Sequence, residues 1–526
     1  MVVGTSSNSG KSTVVTALCR VLSDAGVKVA PFKAQNMSLE SYVTGNGEEI
    51  ARAQAAQALA ARCTPSVEMN PILLKPMGDE LCQVLLYGHP LGIMHYREYQ
   101  LRHEEMLGHV VQAFDTLYED YDFIVCEGAG SPAEINLIEH DIVNLPLAAK
   151  LDIPAILVAD IERGGVFASI YGTLAVLPAE LSDLIRAVVI NKMRGSTEIL
   201  EPAISWLSDS TGIPCIGVIP HMDSIDMDGE DSLTRSSSPI PAGRTAGDIR
   251  VEAGTGRAAR GQRLTCPDLL DIAVVGFPHL ANATDIDPLR LEPDVSVRYV
   301  SDRSMLGDPD AVILPGSRST VEDLMWIRSN GLAGALAESR DNPGSFSILG
   351  ICAGYQMLGE SVDDRIETDY GLVDGLGMLP IRTVMAETKV LRRCYSGKWI
   401  AGSNHLAEAL EPVVSGYEIH HGRLSYESST ASATPWFLID ASDGNESEGC
   451  IDLERGVFGT SVHGFLEDPG TRSSFLSLCA ARRNKHWSPS MVSIEEYRQS
   501  RIDRLASAVR EFVDVDALES IWKETP

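Results

Sequence analysis

A single cysteine carried by an apolar run straight into a helical stretch holds the most chemistry in this 526-residue chain. In Leu349-Gly350-Ile351-Cys352-Ala353-Gly354-Tyr355-Gln356 small residues flank the sulfur, which permits the sharp strand-to-helix turn that lifts a nucleophile out of a sheet. The following helix N-terminus aims its amides at any anion formed there, favouring a thiolate and supplying part of an oxyanion hole. Downstream, Gly459-Thr460-Ser461-Val462-His463-Gly464 follows a short apolar run and offers a histidine as base. The pair predicts acyl transfer through a thioester. The other nine cysteines (Cys19, Cys63, Cys82, Cys126, Cys215, Cys266, Cys394, Cys450 and Cys479) lack such flanks and read as small buried hydrophobes.

A second centre stands at the opposite end. Met1-Val2-Val3-Gly4-Thr5-Ser6-Ser7-Asn8-Ser9-Gly10-Lys11-Ser12-Thr13 runs from a short strand through small residues into a helix, the layout of a phosphate-binding loop. Gly10, Lys11, Ser12 and Thr13 form its ATP-binding stretch: main-chain amides wrap the phosphates, Lys11 reaches the terminal ones, and the Ser12 hydroxyl ligates Mg²⁺. The usual spacing puts glycine at position 5, where Thr5 stands after Gly4, so the loop is slightly altered. Further strands end in polar residues, as open α/β sheets do at their ligand sites. Glu127, after Asp122-Phe123-Ile124-Val125-Cys126, is the first choice for a second Mg²⁺ ligand, and Asn191, after Ala187-Val188-Val189-Ile190, is placed to read a nucleobase edge. Asp160 ends another strand, and Asp160 and Asn191, each taken alone, could also be turn residues.

The elements that must position these groups divide the chain. Residues 1–227 alternate strands and helices and predict a parallel, doubly wound sheet. Residues 228–268, rich in Gly, Ser, Arg and Pro, read as a linker or surface insertion. Residues 269–526 begin a second α/β sheet, and the helical tail from about 485 is expected to pack on it. With 44% hydrophobic and 22% charged residues the chain can bury more than one core. No apolar run reaches membrane-spanning length, and a phosphate loop occupies the place of a signal peptide, so a cytoplasmic protein is expected. Ten cysteines without paired metal-ligand spacing fit a reducing compartment and argue against zinc. A formal charge of −30 argues against nucleic-acid binding, leaving anionic substrates to local groups such as Lys11, Lys33, Lys75 and Arg163.

Cys352, His463 and the Pro315-Gly316 turn after Ala311-Val312-Ile313-Leu314 together resemble class I glutamine amidotransferase domains, with a flavodoxin-like sheet. That resemblance makes Cys352 the nucleophile that releases ammonia from glutamine, His463 its base, and Gly316 and Ala353 the oxyanion donors. Many members of that class carry a glutamate two residues after the histidine; here Phe465 stands there, so the third member is absent or supplied elsewhere, and Glu467 is not named as a substitute.

An ATP site joined to an ammonia generator is the arrangement of an amidoligase. PFKAQNM (31–37), PSVEMNPILLKP (65–76), EGAGSPAEINL (127–137), ADIERGGVFAS (159–169), PHLANATDIDPL (278–289), LPGSRSTVEDLMWIR (314–328) and GYEIHHG (416–422) together resemble the cobyric acid synthase family, collinearly over nearly the whole chain outside 228–268. The resemblance implies an N-terminal P-loop NTPase-like, dethiobiotin-synthetase-like sheet. It also implies ATP- and glutamine-dependent amidation of the b, d, e and g carboxylates of a corrinoid, adenosylcobyrinic acid a,c-diamide. Under it Lys33, Gln35, Asn36 and the Asn70-Pro71 turn contact corrinoid or nucleotide, and Tyr417, Glu418, His420 and His421 line the corrinoid or an interdomain passage, or form a structural turn. Two alternatives stay open: a cobyrinic acid a,c-diamide synthase, and a nucleotide-switch ATPase fused to a degenerate amidotransferase domain.

Overall fold

Uninterrupted runs of Val, Ile, Leu and Ala become strands buried on both faces, and such strands pair in parallel between helices. The computed structural model describes residues 1–77, 80–222, 269–340, 342, 344–400, 413–426, 433–441, 444–490 and 492–523. The chain divides into two units, Met1–Leu233 with Arg498–Pro526, and Thr234–Tyr497. The expected linker at 228–268 lies outside the described residues.

In the first unit the strands Val2–Gly4, Ala155–Asp160, Ile185–Met193 and Cys215–Pro220 form a parallel sheet in that order. The parallel pair Val29–Phe32 and Phe123–Cys126 adjoins it through a bridge between Val2 and Glu127. Alternate residues enter two cores, Val2, Ile156, Val158 and Val189 on one face and Val3, Leu157, Ala159 and Val188 on the other. Helix Lys11–Asp24 covers the first face and helix Val166–Val176 the second, which is the doubly wound architecture expected. Unforeseen in the sequence is a small mixed sheet, in which Gln35–Met37 pairs in parallel with Ile72–Pro76 and the latter continues antiparallel through Leu81–Leu86 to His89–His95.

The second unit has one large sheet. Its parallel half runs Val295–Val300, Leu270–Val275, Ala311–Leu314, Ser347–Ile351, Val457–Thr460. Ile272, Val274, Ile313 and Leu349 face one core, and Ala273, Val275, Val312 and Ile348 the other. Beyond Val457–Thr460 the sheet extends through a mostly antiparallel half that includes Ile381–Trp399 and Val413–Tyr426. The GYEIHHG run therefore lies in a strand rather than a turn.

The C-terminal helices correct the expectation that they pack on the second unit. From Arg498 onward they belong to the first. Ile502, Leu505, Ala506, Val509, Val513 and Leu518 share a core with Val14, Leu18 and Leu22, and Phe123 meets Trp522 at 4.9 Å between ring centroids. The cause is the phosphate-loop helix, which is apolar around most of its circumference and must be covered on its outer side as well as against the sheet. Leu505 is fully buried in this contact. Leu505→Ala should therefore lower unfolding stability by about 2–5 kcal/mol. Urea denaturation measures this, and a change under about 0.5 kcal/mol, the level of a surface substitution, would show that the tail is not integral to that core.

Candidate active sites

Three neighbouring strands of the second unit deliver the cysteine chemistry to one place. Leu314 pairs with Gly350 and Ile351 with Thr460, so the segments leading to Gly316, Cys352 and His463 leave the sheet side by side. Cys352 opens helix Ala353–Leu358 with φ 53° and ψ −108°, a positive φ that a residue with a side chain holds only where its surroundings enforce it. Two contacts enforce it. The Cys352 amide donates to Thr460 O at 2.8 Å. Helix and strand approach so closely at Gly354 that a Cβ there would sit 1.9 Å from Leu314 O. The buried sulfur lies 3.8 Å from Ile419 O.

His463 is fixed from three directions. Its backbone exchanges hydrogen bonds of 2.8 and 3.1 Å with Tyr417, whose ring stacks on the imidazole at 5.4 Å. The Asn282 amide stands 3.2 Å from Nε2. Nδ1 donates to Asp285 Oδ2 at 2.6 Å, while Oδ1 of the same carboxylate accepts the Gly464 amide at 2.8 Å. Burial alone would strip the imidazole of its proton, but Asp285 and the facing Cys352 outweigh it and raise His463 to about 10. Asp285 thus orients the histidine, a function the sequence left without an owner. The signal was present in the polar Asn282-Ala283-Thr284-Asp285 turn of PHLANATDIDPL, yet Asp285 is 178 residues from His463. Phe465 is fully buried against Trp436 and Phe437.

Gly316 lies against the histidine, since a Cβ built on it would be 3.1 Å from His463 Cε1. Neither its amide nor that of Ala353 has an acceptor among the described residues, which suits both to an oxyanion.

In the first unit, Gly10 turns the loop into helix Lys11–Asp24 at φ 97°, with Thr13 half-buried on the first turn. Lys11 Nζ donates to Ser6 O at 3.0 Å and Gly130 O at 2.9 Å. The Ser9 hydroxyl is buried without a hydrogen-bond partner among the described residues. Ser12 Oγ donates to Glu127 Oε1 at 2.8 Å, and Lys33 Nζ donates to the same oxygen at 2.7 Å. Gln57 donates to Oε2. Burial would raise the Glu127 carboxyl, but Lys33, Gln57 and Ser12 hold it below its ordinary value. Among the described residues no cluster of three acidic, His or Cys side chains could hold a metal alone. Ser12 and Glu127 are instead hard oxygen donors beside a phosphate loop, the small set that magnesium takes together with phosphate and water.

Of the other expected contacts, Asn36 joins this network through Gln54, to which its amide donates at 2.8 Å, and Gln54 meets Gln57 at 3.4 Å. Gln35 instead accepts from Tyr99. Asn191 braces the loop: its amide donates to Ser9 O at 3.0 Å and its carbonyl accepts from Lys192 N at 2.9 Å. Asn191 is buried, and each polar end makes one bond within the fold. Lys192 Nζ ties the neighbouring tip to the loop through Asp160 at 3.0 Å and Asn8 O at 2.6 Å.

Comparison with known proteins matches residues 1–233 to a CobQ/CobB/MinD/ParA nucleotide binding domain and residues 271–470 to a CobB/CobQ-like glutamine amidotransferase domain. Proteins named cobyric acid synthase are similar over nearly their full length. One from Streptomyces avermitilis is 42% identical, covering 98% of this chain and 95% of its own. One from Clostridium acetobutylicum is 38% identical over 99% and 98% of the two chains, and one from Nostoc sp. 41% identical over 98% of each.

The Asp285 contact has a consequence for stability. His463 is raised from 6.5 to about 10 in the folded chain. Its contribution is therefore complete below about 6.5 and is lost as pH rises through about 10. Asp285→Asn should destabilise the chain most at the low end of that window, with the difference from the parent shrinking toward pH ~10. Urea unfolding of both proteins across that range measures this; a difference independent of pH would mean that Asp285 does not hold a charged imidazole.

Proposed function

The chain belongs to the cobyric acid synthase family, and from that premise we propose that it amidates the b, d, e and g carboxylates of adenosylcobyrinic acid a,c-diamide, using ATP and L-glutamine, in cobalamin biosynthesis. The observation that carries the reading is the Asp285 carboxylate on His463 Nδ1, 2.6 Å away, opposite Cys352. A complete Cys-His-Asp arrangement supports a working ammonia generator and counts against a degenerate domain attached to a nucleotide switch.

The residues then divide the work. A cation beside a sulfur favours its anionic, nucleophilic form, so His463 supports attack by Cys352 on the carboxamide carbon of glutamine. The oxygen that gains charge turns to the free amides of Gly316 and Ala353. His463 gives its proton to the departing nitrogen, ammonia leaves, and a thioester remains on Cys352. Water activated by the now neutral imidazole releases glutamate and restores the thiol. At the phosphate loop, Lys11 and the loop amides hold the phosphates while the corrinoid carboxylate takes the γ-phosphoryl group, giving an acyl phosphate and ADP. Ammonia displaces phosphate and leaves the amide. Mg²⁺, held by Ser12 and Glu127, would neutralise phosphate charge. Lys33 and Asn36 are the first candidates for the incoming carboxylate.

Cys352→Ala should abolish glutamine-driven synthesis yet retain synthesis from concentrated ammonium, whereas Lys11→Ala should lose on the order of 10³-fold with either nitrogen source. Equal loss of both routes in a folded Cys352→Ala protein would defeat the two-centre mechanism. Each conversion lowers product mass by about one unit, so mass spectrometry should find four successive decrements from the a,c-diamide. Two decrements from cobyrinic acid, and none beyond, would assign the chain to diamide synthesis instead.

A further inference from the structure

Arg318, Lys389 and Glu367 gather near Cys352, and none of them has a part in the chemistry above. Arg318 follows the Pro315-Gly316 turn, and its backbone amide donates to His279 O at 2.9 Å. Its guanidinium Nη1 is buried without a hydrogen-bond partner, and the side chain forms no ion pair among the described residues. Burial pulls Arg318 down to about 10, and burial together with Arg318 pulls Lys389 to about 8; Lys389 is within electrostatic reach of Cys352. His421 adds no charge, because burial lowers it to about 4, with Nδ1 against Ala386 O at 2.8 Å.

One acid partly offsets these cations. Glu367 accepts the Thr320 amide at 3.1 Å, and burial, with Asp364 nearby, pushes it up to about 7. Thr320 Oγ1 in turn lies 3.5 Å from Gln356 on the helix that Cys352 opens, which ties Glu367 to the nucleophile's own element. A buried guanidinium nitrogen without a hydrogen-bond partner is costly, and among the described residues the charge of Glu367 offsets that cost only in part. A ligand anion completes it. Glu367, whose burial outweighs the help of Arg318, suits a ligand cation.

We propose that Arg318 binds the α-carboxylate and Glu367 the α-ammonium of the amino acid whose side-chain amide meets Cys352, so that the two select a free zwitterion over simple or peptide-bound amides. The inference rests on Cys352 acting as a glutaminase nucleophile and names how that site recognises its substrate. Lys389 adds positive field on the same side.

Steady-state ammonia release by the full-length protein tests it with three amides: L-glutamine, its α-amide, which keeps the ammonium but carries a neutral carboxamide in place of the carboxylate, and glutaramate, which lacks the ammonium. The parent should favour glutamine over each analogue by about 10- to 100-fold in kcat/KM. Arg318→Met should raise KM for glutamine by about the same factor with kcat nearly kept, and bring glutamine and its α-amide to parity while the preference over glutaramate persists. Glu367→Gln should do the reverse, and Arg318→Lys should retain part of the carboxylate preference. An Arg318→Met protein that keeps the parent's preference, or loses kcat at unchanged KM, overturns the assignment; should that variant not fold, Arg318→Lys and Glu367→Gln decide it by the same ratios. A parent that releases no ammonia from glutamine overturns the glutaminase reading itself, and this inference with it.

Discussion

Hydrogen bonding along buried parallel strands decides where chemistry can occur in both units. A sheet covered on both faces leaves no water for its backbone, so every amide within it must be paired along the ladder. Only past the carboxyl ends does the ladder stop and release donors toward a ligand. Thr5 N still reaches Val158 O at 3.0 Å, and the loop that wraps phosphate begins directly after it. Cys352 N likewise makes the last bond of its ladder, to Thr460 O, and the amide of Ala353 is then free. The same limit sets Lys33, Glu127 and Asp160 at the tips of their strands.

The cysteine site adds a second constraint, because a buried imidazole loses its proton unless a carboxylate faces it. Asp285 provides that carboxylate and ties its other oxygen to the main chain at Gly464, so the charge that holds the proton also fixes the loop. Glu448 braces the strand end from behind, accepting from Thr460 Oγ1 and Ser461 N at 2.6 Å each. Ring orientation, loop position and strand register are therefore one arrangement. It exists only once strands far apart in sequence have paired.

That dependence explains what could be read from the sequence. Ala311–Leu314, Val295–Val300 and the phosphate-loop strand were legible because their apolar runs are local, as were the small flanks of Cys352 and the run Gly10-Lys11-Ser12-Thr13. Phe465 signalled that the usual orienting acid was missing, but naming Asp285 required knowing which loops neighbour one another after folding. The place of Asn191 near a strand end was visible in the sequence, while its buried bond to Ser9 O was not. The three-residue strand Gln35–Met37 is too short to show a period, which hid the mixed sheet. The tail was misassigned because adjacency in sequence is a weak guide to which of two apolar surfaces a helix will cover.

The two sites treat desolvated charge in opposite ways. Glu127 is fully compensated within the fold by one ammonium, one amide and one hydroxyl, and Gln54 and Asn36 extend that network inward. Such a site is preorganised, since a phosphate arriving beside Lys11 finds its donors already held. Around Cys352 compensation is complete only for the groups that move protons, through Asp285. Arg318 stands outside that network, and the free energy of desolvating it becomes available when an anion enters. A desolvation cost that only a ligand charge relieves in full favours charged ligands over neutral isosteres, because a carboxamide in place of the carboxylate would bring no anion to the guanidinium.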